Sequence, residues 1–105
     1  MESQIQARVI EFARRRGIIA RKLSFGEGWP DYMFLWEGRI LFIEFKRPGE
    51  KPKPLQVYVI ELIRKQGFEV ILVDNIIDGR KAIRSFIGED DTQLERVRSG
   101  HDRDQ

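Results

Sequence analysis

Two carboxylates and one ammonium group stand at spacings that let them converge: Asp31, directly after Pro30, and Glu44 and Lys46 on either side of Phe45. The runs Asp31–Trp36 and Arg39–Lys46 are rich in aromatic and aliphatic residues and are separated by Glu37-Gly38, which predicts a β-hairpin. A loop symmetric about Glu37 and Gly38 opposes residues whose numbers sum to 75, so Trp36 faces Arg39 and Asp31 faces Glu44. Directly opposed residues hold their Cβ atoms roughly 4.5–5.5 Å apart, close enough for two carboxylates to share one cation and mutually repulsive without it. Alternation along the strand puts Lys46 on the face of Glu44 and turns Leu41, Ile43 and Phe45 to the other face.

A hard divalent ion such as Mg2+ takes one or two carboxylates together with waters and substrate phosphate. It activates water and stabilises negative charge on a phosphoryl group, and an adjacent ammonium can orient that water or neutralise the transition state. The chemistry expected of this triad is phosphodiester hydrolysis. The register decides whether the triad forms. Glu37-Gly38 closes a two-residue type I′ turn only if Glu37 adopts positive φ, and a three-residue loop would send Asp31 and Glu44 to opposite faces unless a bulge intervened. A plain ion pair of Lys46 with Glu44 would also satisfy both charges.

The elements that must position these residues can be traced along the chain. Ser3 and Gln6 have the spacing of a capping box, and Ile5, Val9, Phe12 and Ala13 recur at helical spacing before Gly17, predicting a helix from Gln4 to Arg16. Ile18–Leu23 reads as a strand, leading through a glycine-containing loop to the hairpin. Three prolines make the stretch from Arg47 to Pro54 a loop, and a second helix follows over Leu55–Gln66. Glu69–Asp74 is a further strand, reached by a crossover and therefore expected parallel to Arg39–Lys46. Asp74 or Asn75 can cap a third helix carrying Ile76, Ile77, Ile83 and Phe86, with Gly79 an unfavourable residue in its middle. The expected fold class is α/β, in the order α-β-β-β-α-β-α, with a mixed central sheet flanked by helices. Residues 1–88 form one domain in this reading, and 89–105 a polar tail that is frayed or loosely helical.

At 105 residues, one domain with one site is expected. The absence of cysteine excludes a disulfide framework and a thiolate zinc site. The net charge of +2 is no polycation, so a nucleic-acid surface must come from local clustering, although the sequence pI is about 9.1. With no membrane span and no signal peptide legible, a soluble, cytoplasmic protein of a bacterial or phage-infected cell is expected.

Asp31 with Glu44-x-Lys46 on a hairpin flanked by helices resembles the PD-(D/E)xK nuclease superfamily. The order Arg21-Lys22-Leu23, Gly28-Trp29-Pro30-Asp31, Phe42–Gly49, Lys53-Pro54-Leu55-Gln56 and Gly67-Phe68-Glu69-Val70 is similar to the virus-type replication-repair nuclease (VRR-NUC) family, over roughly residues 18–77. The resemblance implies a restriction-endonuclease-like fold, with Asp31, Glu44 and the Phe45 carbonyl as Mg2+ or Mn2+ ligands and Lys46 as catalytic lysine. It also implies a catalytic part for Gln56 on the following helix. Glu11 is a candidate for the first-helix glutamate that in related Holliday-junction resolvases helps hold the metal's water, and an i,i+4 pair with Arg15 explains it nearly as well. Stand-alone family members of this size look like homodimers that cut branched DNA.

Lys22, Arg47, Lys51 and Lys53 flank the proposed site and suit phosphate contacts that position DNA. Arg14-Arg15-Arg16 suits a helix C-terminus as well as it suits DNA. Trp29 could stack on a base or cover the sheet edge. His101 is expected to be inert. The function expected is a metal-dependent, structure-specific DNA endonuclease acting on branched DNA such as Holliday junctions. The alternatives are a sequence-specific restriction-type endonuclease and a non-catalytic nucleic-acid-binding module.

Overall fold

The computed structural model describes residues 2–24 and 26–89, so the expected tail, apart from Glu89, lies outside the described residues. Helix α1 spans Glu2–Arg14, β1 Ile19–Lys22, β2 Tyr32–Trp36, β3 Arg39–Phe45, α2 Pro54–Lys65, β4 Glu69–Val73 and α3 Ile76–Phe86, the order expected from sequence. The helix α1 starts about half a turn earlier than expected, which corrects the capping-box reading. Ser3 lies inside the helix, not at its cap. The turn after Arg14 closes at Gly17, at φ 81°, where the Gly17 N–H donates to the Arg14 carbonyl and the Ile18 N–H to that of Ala13.

The sheet order is β1-β2-β3-β4, with β1/β2 and β2/β3 antiparallel and β3/β4 parallel. The hairpin register runs from Trp36 opposite Arg39 to Tyr32 opposite Ile43, as the symmetric loop requires. Glu37 and Gly38 both take positive φ, 46° and 77°, so the type I′ turn forms despite the poor fit of a glutamate.

Two apolar layers sandwich the sheet. On one face Phe34, Leu41, Ile43, Phe45 and Val73 pack with Ile5, Val9 and Ala13 of α1 and Ile83 and Phe86 of α3. On the other, Phe42 and Val70 pack under Val59, Ile60 and Ile63 of α2. Strand β3 is thus covered on both faces, buried from Leu41 to Phe45, so a charged residue in it needs a reason. Gly79 has one too. A Cβ there would run into Val9 and lie 3.1 Å from Val73, so the glycine lets α3 lie directly on α1 and β4.

The outer strands are plugged. Arg14 Nη2 donates to the Ala20 carbonyl of β1 at 2.8 Å, and Arg64 Nη2 to the Val70 carbonyl of β4 at 2.7 Å. Occupied edge carbonyls discourage addition of a further strand. Among the described residues no helix is long and apolar enough to cross a membrane.

Candidate active site

Strand β3 delivers Glu44 and Lys46 to the face covered by α2, at the end where β1, β3 and β4 all finish. Pairing with β4 continues past the strand, since Lys46 N–H donates to the Val73 carbonyl at 2.8 Å and so fixes the lysine backbone. Asp31 sits one residue beyond the last β2/β3 pair. Its Oδ2 accepts the Phe45 N–H at 2.8 Å, which ties the aspartate to the backbone between Glu44 and Lys46. Gly28, at φ 85°, has no room for a side chain: a Cβ would lie 2.9 Å from Leu55 Cγ and 3.1 Å from its carbonyl. The loop before Asp31 therefore rests on the first turn of α2, which holds Asp31 and Gln56 in a common frame.

Gln56 joins the charged groups. Its Oε1 accepts from Lys46 Nζ at 2.7 Å and from the Lys53 N–H at 2.9 Å, and its Nε2 donates to Glu44 Oε2 at 2.7 Å. The Lys53 bond is the half of a capping box in which the third helical residue reaches back to the cap. That bond fixes the amide so that its oxygen faces the ammonium and its nitrogen the carboxylate. Lys46 Nζ also lies 3.4 Å from Glu44 Oε2, with both side chains 7% exposed or less.

The pair does not satisfy Glu44. Its other oxygen, Oε1, is buried and has no hydrogen-bond partner among the described residues. Burial, and then the neighbouring charge of Asp31, raise its proton affinity, while Lys46 and Gln56 lower it, and the net result is a pKa raised from 4.5 to about 7. A carboxylate buried beside a second carboxylate, with one oxygen unused, is a half-made cation site. Among the described residues there is no group of three or more Asp, Glu, His or Cys side chains that could enclose a metal. Two carboxylates fit a Mg2+-like ion, which keeps waters and takes substrate oxygens, better than an ion that needs a full protein cage.

No family model matches the chain. A phage protein named "Putative nuclease p44", from Acyrthosiphon pisum secondary endosymbiont phage 1, is 38% identical over 77 residues, covering 70% of this chain and 83% of that protein. A solved VRR_NUC domain superposes with a TM-score of 0.73 at 33% identity, covering 79% of this chain and 94% of that one. The chain belongs to the VRR-NUC nuclease family. The four-stranded mixed sheet and three helices of the described residues are the family's restriction-endonuclease-like fold.

Within this VRR-NUC domain, Asp31, Glu44, Lys46 and Gln56 come together through the bonds described above. Lys22, at the finishing end of β1, and Arg47, Lys51 and Lys53, in the loop before α2, are all exposed around the same end of the sheet. Glu11 is not brought to them. It is exposed on α1, which packs on the opposite face of the sheet, and its Oε2 pairs with Arg15 at 2.9 Å. The sequence reading missed Asp74, taken only as a possible helix cap. Asn75 caps α3 by accepting from Asp78 N–H at 2.8 Å, and Asp74 instead accepts the Gly49 N–H at 3.0 Å, latching the basic loop to the end of β4. That bond and a second from Asn75 hold its carboxyl below the ordinary aspartate range. An acid at the end of a core strand facing a Pro-Gly loop was the available signal.

Proposed function

We propose that this VRR-NUC domain is a Mg2+- or Mn2+-dependent endodeoxyribonuclease that acts as a homodimer on branched DNA such as Holliday junctions. The observation that carries the metal dependence is the buried Glu44 Oε1, without a hydrogen-bond partner among the described residues and beside Asp31, while Oε2 is fixed by Gln56. Asp31, Glu44 and the Phe45 carbonyl would hold the ion. When bound, it would supply Lewis-acid activation of water and charge stabilisation at the scissile phosphate.

The chain's own groups do the rest. Lys46 donates one proton to Gln56 and faces Glu44 with another, leaving a third donor for the attacking water or a phosphate oxygen. Gln56 bridges the ammonium and the carboxylate, bonding to both while they lie 3.4 Å apart. Lys22, Arg47, Lys51 and Lys53 would contact flanking phosphates without reading sequence. Short connections leave little chain for reading base edges, which favours recognition of shape. Two sites related by a two-fold axis suit paired cuts in a branched substrate.

The test is incubation with linear duplex, single-stranded, flap and four-way-junction DNA in Mg2+, Mn2+ or EDTA, alongside light scattering for mass. Paired, metal-dependent cuts at the junction by a species of twice the chain mass are expected. Sequence-fixed cuts in linear duplex, or binding with no cutting in any metal, would overturn the reading.

A further inference from the structure

The surface formed by α1 and α3, across the sheet from Glu44, carries a concentration of positive charge that the nuclease site does not use. Its centre is the Phe12 ring. The guanidinium carbon of Arg16 lies 3.6 Å from the ring centroid, that of Arg80 5.4 Å and that of Arg84 5.8 Å. Arg8 and Arg15 join Arg16, Arg80, Phe12 and Glu11 around an open recess of about 270 Å3. Among the described residues ion pairing there is incomplete: Glu11 binds Arg15 and Glu89 binds Arg16. Arg80 Nε is buried with no hydrogen-bond partner among the described residues.

Gathering five guanidinium groups costs energy through mutual repulsion unless an anion offsets it. Three of them, Arg16, Arg80 and Arg84, lie within 6 Å of the Phe12 ring, and that cation–π attraction restrains them before they bind. A planar fork of N–H donors matches the oxygens of a phosphate, and a concave wall of one sign concentrates the local potential. The recess has room for a phosphodiester group, and the single half-buried aromatic at its floor is occupied by the arginines themselves, leaving no platform for a base.

We propose that the Arg8, Arg15, Arg16 and Arg80 recess over Phe12 is a second phosphate-binding site, which takes the sugar-phosphate backbone of a nucleic-acid segment other than the one being cut. This rests on the nuclease reading only for the identity of the polymer. A branched substrate has arms that leave the catalytic centre, and a basic surface on the far face of the sheet would hold one of them.

The test measures binding of a fluorescent four-way junction and of a matched linear duplex in EDTA, from 50 to 200 mM NaCl. The variant is Arg8→Gln with Arg15→Gln, both exposed side chains whose loss should leave thermal unfolding unchanged. Every phosphate that the protein no longer neutralises lowers the salt slope by about 0.9, so a fall of about 1.8, with junction affinity down roughly tenfold or more, is expected. Arg80→Gln should lower it further, and Lys46→Ala should not alter the effect. Unchanged slope and affinity in the double variant, including the case in which an acidic peptide binds there instead, would overturn the proposal. Failure of the nuclease reading would show separately, as no cleavage by the wild type with either metal.

Discussion

Glu44→Gln should make the metal-free protein less dependent on pH, and the size of the effect follows from the site. Folding raises the Glu44 pKa from 4.5 to about 7, so the folded state keeps a proton that the unfolded chain has released across that interval. The stabilisation this gives is complete below pH 4.5 and is lost as pH rises through about 7. The full difference corresponds to about 3 kcal/mol. Carboxylates away from the site titrate alike in both proteins and cancel, so the unfolding free energy of wild type minus that of Glu44→Gln should fall by about this amount between pH 4.5 and pH 8. Urea unfolding in EDTA across that range reads it, as a relative midpoint shift of about 3 M for a slope near 1 kcal/mol/M. Added Mn2+ at pH 8 should restore stability to the wild type alone. Parallel profiles would refute the reasoning. A wild type that gains on the variant as pH rises would show that Lys46, not burial and Asp31, governs the carboxylate.

Further outcomes follow from individual contacts. Gln56→Ala removes the bonds to Lys46 and Glu44, and kcat should drop roughly 10- to 100-fold with KM little changed in steady-state cleavage assays. Asp74→Ala frees the Gly49 N–H and should weaken DNA binding in Ca2+, with Asp74→Asn rescuing it, because the latch needs an acceptor oxygen rather than a charge. Gly79→Ala drives a methyl into Val9 and should cost about 1–3 kcal/mol in urea unfolding, without altering the cleavage pattern.

What could be read from the sequence was whatever is fixed by local alternation. The hairpin register was legible because strand period and a two-residue turn determine it together, and positive φ at Glu37 is the condition that register imposes. The parallel β4 followed from the crossover. The start of α1 was misread because Ser3 has the type and spacing of a cap without the backbone geometry of one. Gly79 looked like a weak point in α3, since close approach of α1 and β4 is a tertiary fact that no window around residue 79 contains. The site divides in the same way. Asp31, Glu44 and Lys46 sit on one hairpin and were legible together, and Gln56 was legible as a residue on a neighbouring helix. Its two simultaneous bonds were not. Helical periodicity gives Glu11 a face but does not say which side of the sheet α1 covers, and the pair with Arg15 is where that carboxylate lies.

The most direct measurement is anomalous diffraction from a crystal soaked in Mn2+. A peak about 2.1–2.2 Å from one carboxylate oxygen each of Asp31 and Glu44, with Lys46 Nζ still bonded to Gln56, is the expected result. Carboxylates that diverge with no peak between them, or a peak that persists at the same place in Glu44→Gln, would contradict it.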